Sequence, residues 1–135
     1  MVEKIEKFFK EKDRFAKLLG LKIVEFSKGY AKIQADIKDE YLNAANVIHG
    51  GFLFSLADYA FALSSNSHNN LSLALNANIM FQKAVSKGKL IAVAKELTSN
   101  KKIATYEVKI YDEDANLIAS FCGTVYRKGT KIVNV

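Results

Sequence analysis

The chain has 135 residues, half of them hydrophobic and a quarter charged, which suits a single globular domain with a sizeable core. An excess of 20 Lys and Arg over 14 Asp and Glu leaves a net charge of +6 and favours anionic partners, yet no basic run interleaved with aromatics marks a nucleic-acid site. One cysteine and two histidines are too few for a cysteine–histidine zinc site, and no apolar run reaches the roughly 20 residues of a membrane span, so neither a metal nor membrane insertion is expected.

Residues 2–18 mix charged and apolar positions, and Ile5, Phe8, Phe9, Phe15 and Leu19 recur at helical spacing, predicting one amphipathic helix that Gly20 ends. Charges appear from the first residues and no signal-peptide core is present, so the expected location is the cytoplasm. Residues 21–26 and 30–38 predict a hairpin about Ser27-Lys28-Gly29, with Ala31, Ile33, Ala35 and Ile37 on the buried face. A connector, 39–49, leads into Gly51–Asn66, an almost wholly apolar helix. The period then returns to two: Leu71, Leu73, Leu75, Ala77, Ile79 and Phe81 share one face of a long strand. Further strands are predicted at 89–97, 102–111 and 117–127, separated by Ser86-Lys87-Gly88, Thr98–Lys101 and Asp112–Asn116. Cys122, in the last of these, reads as a buried and inert thiol.

The order is helix, hairpin, buried helix and four-strand meander. It predicts an α+β domain whose antiparallel sheet wraps the central helix, with long strand edges that a second copy would cover.

Asp58 is the only charge in the apolar helix. A helix hydrophobic on every side is buried, and a buried carboxylate is costly unless it is paired, hydrogen-bonded or put to use. A structural Asp is one reading; a catalytic acid is the favoured one. Gly50 and Gly51 open the same helix, where first-turn N–H groups lack helical partners and could hold an oxyanion. Eight positions separate Gly50 from Asp58, about 12 Å along a helix. A carbonyl must lie about 3 Å from its donor and about as close to the attacking group. One chain does not bring the two together, so two antiparallel helices from a two-fold dimer are expected to form each site.

At these residues the chain resembles the hotdog-fold acyl-CoA thioesterases, in the branch typified by phenylacetyl-CoA thioesterase of phenylacetate degradation. The resemblance rests on Leu42-Asn43, His49-Gly50-Gly51, Leu56-Ala57-Asp58, Ala60-Phe61-Ala62 and Asn76-Ala77-Asn78-Ile79-Met80-Phe81, with similar segments at Tyr106-Glu107-Val108 and Leu117-Ile118-Ala119. It covers about residues 20–128. The division it implies is a single hotdog thioesterase domain over 1–135: an extra N-terminal helix at 1–19, the hotdog core at 20–128 and a tail at 129–135.

What the resemblance implies is hydrolysis of an aromatic or medium-chain acyl-CoA to free acid and coenzyme A, with Asp58 as nucleophile or general base. The Gly50 N–H, with Gly51 beside it, would bind the thioester oxygen. Asn43 would orient water or thioester, or merely brace its loop, and His49 would touch the thioester region or brace the turn. Asn78 belongs to the matched strand and would face substrate. Lys83, Lys101 and Lys102 would meet the phosphates of coenzyme A. Phe52, Phe54, Tyr59 and Met80 would line the acyl pocket.

The chain departs from the family where Ala44 and Gln82–Val85 replace common prolines. Ala74 stands where some relatives carry a strand hydroxyl; Ser72 lies two positions away, and Ser65 is a candidate substitute. No cofactor is implied beyond the coenzyme A of the substrate, and the assembly implied is a homodimer or a homotetramer built as a dimer of dimers. Two other readings stay open: a non-catalytic acyl-CoA-binding or sensing hotdog module, and a hotdog enoyl-CoA hydratase or dehydratase.

Overall fold

Period-two alternation becomes sheet wherever the sequence carries it. In the computed structural model, which describes residues 1–134 and so leaves Val135 of the expected tail outside, six strands form one antiparallel sheet. They are β1 (Lys22–Ser27), β2 (Tyr30–Asp36), β3 (Ser72–Phe81), β4 (Lys89–Ser99), β5 (Ile103–Asp112) and β6 (Leu117–Arg127). The central helix, α3 (Gly50–Asn66), touches every strand. The sheet wraps it, as in the expected hotdog arrangement. Ala31, Ile33, Ala35, Leu90, Ala92, Ala94, Val108 and Ile110 supply a buried inner face against which α3 lays Leu53, Leu56, Ala60 and Leu63. Gly123 explains how close that packing is, because a Cβ there would come within 2.5 Å of the Phe61 ring.

Two expectations about the sheet need correction. The strands run β1-β2-β4-β5-β6-β3, so only β4, β5 and β6 form a meander, and β3 pairs with β6 at the far edge. Period-two patterning marks a strand but carries no information about its neighbour. The uniform apolar face expected of β3 also breaks. A bulge between Ala74 and Asn76 shifts the register, leaving Leu73, Leu75, Met80 and Phe81 exposed while Ala77 and Ile79 pack inward.

The N-terminal helix is likewise two helices, α1 (Val2–Lys12) and α2 (Arg14–Leu18). Asp13 leaves helical geometry at φ −82°, ψ 91° and caps α2 by accepting the Ala16 N–H at 3.0 Å. Gly20 ends α2 as expected: at φ +71° it lets the Leu21 N–H reach back to the Ala16 carbonyl. Ile5, fully buried, ties α1 to the body.

Beyond the C-terminal end of α3 lies a polar network in which, among the described residues, one buried side-chain atom, Arg127 Nε, lacks a partner. Asn66 Nδ2 donates to the Ala62 carbonyl at 2.8 Å, and its Oδ1 accepts the Ser72 N–H at 2.8 Å. Ser67 accepts the Gly29 N–H and donates to the Ser64 carbonyl. Glu96 Oε1 is shared by His68 (2.8 Å), Tyr106 (2.6 Å) and Arg127 (3.3 Å). Burial raises the Glu96 pKa, but the hydrogen bonds of Tyr106 and His68, with the charges of His68 and Arg127, outweigh it and hold the carboxyl below its ordinary value.

Candidate active site

The helix carrying Asp58 is not buried all round. Gly51, Phe54 and Asp58 are exposed and Ser55 half-exposed, a stripe at helical spacing that the sheet does not cover. This corrects the expectation of a buried carboxylate. Phe54 made the stripe read as apolar, although its ring, 37% exposed, packs edge-on against Phe121 and leaves the helix face open. Asp58 has no hydrogen bond or ion pair among the described residues, so the reading of a structurally satisfied Asp finds no support here. It lines a cavity of 90 Å³ with Asp13, Phe15, Ala16, Leu21, Phe54, Ser55 and Tyr59. Loss of water there, and then the negative charge of Asp13, raise its pKa above the ordinary carboxylate value. Burial likewise pushes the Tyr59 phenol up to about 12, so near neutrality it is an un-ionised donor.

The N-terminal end of α3 builds a second, larger site. A cavity of 400 Å³ is lined by Asn43, Val47, Ile48, Gly50, Leu53, Phe81, Gln82, Lys83 and Ala84. Its position follows from the chain path: the connector returns to the end of β3, where the Ile48 N–H donates to the Val85 carbonyl at 2.7 Å. The Gly50 N–H has no acceptor among the described residues. Gly50 also lies so close to the Phe81 ring that a Cβ would meet it at 3.1 Å.

The two glycines differ. The Gly51 N–H donates to His49 Nδ1 at 2.8 Å, making His49 the cap of α3 and removing Gly51 from the set of free donors. Accepting that bond requires Nδ1 to be unprotonated, which puts the neutral ring's proton on Nε2. Asn43 braces its loop, accepting the Ala45 N–H at 2.9 Å and the Val47 N–H at 3.3 Å through Oδ1. Among the described residues its side-chain NH₂ has no acceptor, and Asn43 lines the same cavity as Gly50.

The sequence-predicted residues thus fall into separate groups. Asn43, Gly50 and Lys83 come together. Asp58 lies in the other cavity, about 12 Å along the same helix. Ser65 is 1% exposed and donates to the Ala62 carbonyl, so it is spent inside the fold rather than in a cavity. Asn78 is exposed on the edge strand β3. Lys101 and Lys102 form the β4–β5 turn beside Arg127, which pairs with Ser72, so they stand at the opposite end of β3 from Phe81, about 30 Å away.

Of the expected pocket residues, Phe54 and Tyr59 line the Asp58 cavity. Phe52 is core, stacked on Tyr41, and Met80 is exposed. Cys122 is exposed, not buried: it faces outward from β6, between the inward Phe121 and Gly123. Sequence reasoning missed Asp13, Phe15 and Phe81 as cavity residues. The signal for Asp13 was its place three residues before Ala16, a helix-capping position.

Comparison with known proteins shows the family. The model of the thioesterase superfamily matches residues 45–119, which include the His49-Gly50-Gly51 turn and Asp58. The chain belongs to the thioesterase superfamily. A protein of Archaeoglobus fulgidus, named as an inferred esterase, is 48% identical over 128 residues, covering 94% of this chain and 83% of that one. The acyl-coenzyme A thioesterase PaaI of Escherichia coli is 33% identical over 123 residues, covering 90% and 88%. The solved structure of the E. coli PaaI protein from the phenylacetic acid degradation operon superimposes with a TM-score of 0.94 at 30% identity, over 98% of this chain and 96% of that one. The thioesterase is therefore a hotdog protein of the PaaI branch, and membership makes it a hydrolase of thioesters.

Proposed function

We propose that this thioesterase hydrolyses acyl-CoA, with aromatic or medium-chain acyl groups, at sites each shared by two copies of the chain. One observation carries the reading. Gly50, whose N–H is free, and Asp58, whose carboxylate has no partner, line two different cavities along one helix, too far apart to act on one carbonyl. A second helix running antiparallel would set the Asp58 of one copy opposite the Gly50 of the other. The unpaired edge of β3 supports such an assembly: ten residues long, it exposes Leu73, Leu75, Met80 and Phe81.

In the proposed reaction the Gly50 N–H stabilises the thioester oxygen as it gains negative charge, and the Asn43 amide adds a second donor from the same cavity. Asp58 of the other copy, as base or nucleophile, delivers water or itself to the carbonyl carbon. The thiolate of coenzyme A leaves, and the products are free acid and coenzyme A. Lys83, at the mouth of the Gly50 cavity, is placed to meet a phosphate; Lys101, Lys102 and Asn78 would act only through a neighbouring copy. The proposal needs no metal or cofactor beyond the substrate's own coenzyme A. It places the enzyme in the cytoplasm as a dimer or dimer of dimers; no described helix is long and apolar enough to cross a membrane.

The binding-module reading does not require a carboxylate at 58, whereas hydrolysis does. The hydratase reading is weakened because His49 Nδ1 is occupied in capping. A panel of acyl-CoAs followed by thiol release tests the proposal. Asp58→Asn is expected to lower kcat by about 10²–10⁴-fold while acyl-CoA binding persists. Undiminished hydrolysis by that variant would remove Asp58 from the mechanism.

A further inference from the structure

The cavity beside Asp58 has two walls of different origin. One is the stretch of α3 from Phe54 to Tyr59; the other is the segment after the helix break, contributing Asp13, Phe15, Ala16 and Leu21. The second wall is fixed at several points. Asp13 caps α2, Ala16 is 4% exposed, the Leu21 N–H bonds the Ala16 carbonyl, and the Tyr41 hydroxyl donates to the Leu19 carbonyl at 2.8 Å. Phe15 stands apart from this scaffolding, 57% exposed although it is one of the largest apolar side chains in the chain.

If Asp58 meets the thioester carbonyl, as the proposed function holds, the acyl carbons must continue into space adjoining Asp58. Phe54, Phe15 and Leu21 make much of that space apolar, and α2 closes it. Its 90 Å³ falls short of the roughly 150 Å³ cavity that takes up benzene in an engineered core. We infer that the Asp13–Leu21 segment is the end wall of the acyl site, and that Phe15 and Leu21 limit how long an acyl group the enzyme accepts. The inference rests on the proposed function and narrows it toward compact acyl groups. It also gives the break at Asp13 a purpose. A helix running straight through residues 2–18 would not turn α2 to present Phe15 and Leu21 to α3.

The test compares kcat/KM for straight-chain acyl-CoAs from acetyl to dodecanoyl in wild type, Phe15→Ala, Leu21→Ala and Phe15→Trp, with thermal unfolding of each as a control. Wild type should decline as the chain lengthens. Phe15→Ala and Leu21→Ala should raise the ratio of the longest ester to acetyl-CoA by about tenfold or more, the scale of at least one methylene gaining a pocket. Phe15→Trp should move the ratio the other way. Because Phe15 is half exposed, its variants should unfold near the wild-type temperature. A ratio unchanged in folded variants, or a wild type that prefers the longest esters, would overturn the end wall while leaving the thioesterase reading in place. A wild type that hydrolyses none of these esters, nor an aromatic one, would overturn both.

Discussion

At its C-terminal end α3 delivers Asn66, Ser67 and His68 into hydrogen bonds that close on themselves, through Ser72, Gly29 and Glu96. At the other end the Gly50 N–H meets no acceptor, and two turns further on Asp58 meets no donor. Both regions carry polar groups on or beside α3, but the fold pairs them very differently. The fold pairs one set, apart from the buried Arg127 Nε, and leaves the other open, and the open set borders cavities that the family-matched segment helps to line. The difference separates polarity used for stability from polarity kept available for a ligand.

Three substitutions probe that contrast, in descending order of expected effect. Gly50→Pro deletes one N–H at the first helical position, where proline is tolerated, and His49 already has the extended backbone (φ −67°, ψ 135°) that a following proline prefers. The half-exposed Phe81 ring has room to shift. We expect kcat to fall by about 10²–10³-fold, as for loss of an oxyanion donor, with the circular-dichroism spectrum and unfolding temperature little changed. A rate near wild type would remove Gly50 from the site.

Glu96→Ala tests the closed end. It leaves the guanidinium of Arg127, whose side chain is 9% exposed, without its carboxylate, and should cost about 3 kcal/mol in urea unfolding. Since the folded Glu96 pKa lies below 4.5, its contribution is fully present above that pH and is lost as pH falls through the folded value. The gap between wild type and variant should therefore close in acid. A gap independent of pH would contradict the network's electrostatic origin.

The smallest effect has the opposite sign. Asp58 binds its proton more tightly folded than unfolded, so stability declines as pH rises through the window above 3.8. Asp58→Asn should therefore unfold at a slightly higher temperature than wild type near neutrality, with the advantage vanishing in acid. A neutral-pH destabilisation would mean that the carboxylate has a structural partner after all.

The strands were legible because alternation is local: Ala31 to Ala35 and Leu117 to Arg127 announce their faces without help from the rest of the chain. Strand order was not, since nothing within residues 72–81 says that their partner is β6 rather than β4. The same limit hid the Glu96 network, whose members at 68, 96, 106 and 127 each read as an ordinary surface or strand residue until the sheet gathered them. Around the site, His49-Gly50-Gly51 and Asp58 stood out because a lone charge and paired glycines in an apolar run are locally anomalous. Asp13 and Phe15 did not, because an amphipathic helix accommodates both, and their meeting with Asp58 depends on a helix break that only the capping bond to Ala16 reveals. Exposure of Asp58 and Cys122 was misjudged for a shared reason. Apolar neighbours in sequence do not fix which face a sheet covers.

The shared site is tested most directly by mixing two inactive enzymes, Asp58→Asn and Gly50→Pro, after dissociation and reassociation. Equal mixing should return about a quarter of wild-type activity, because half the dimers are mixed and each holds one intact Gly50–Asp58 pair across its two chains. If both groups instead served one site within a single chain, no mixed dimer would contain an intact pair, and the mixture would stay as inactive as its parents.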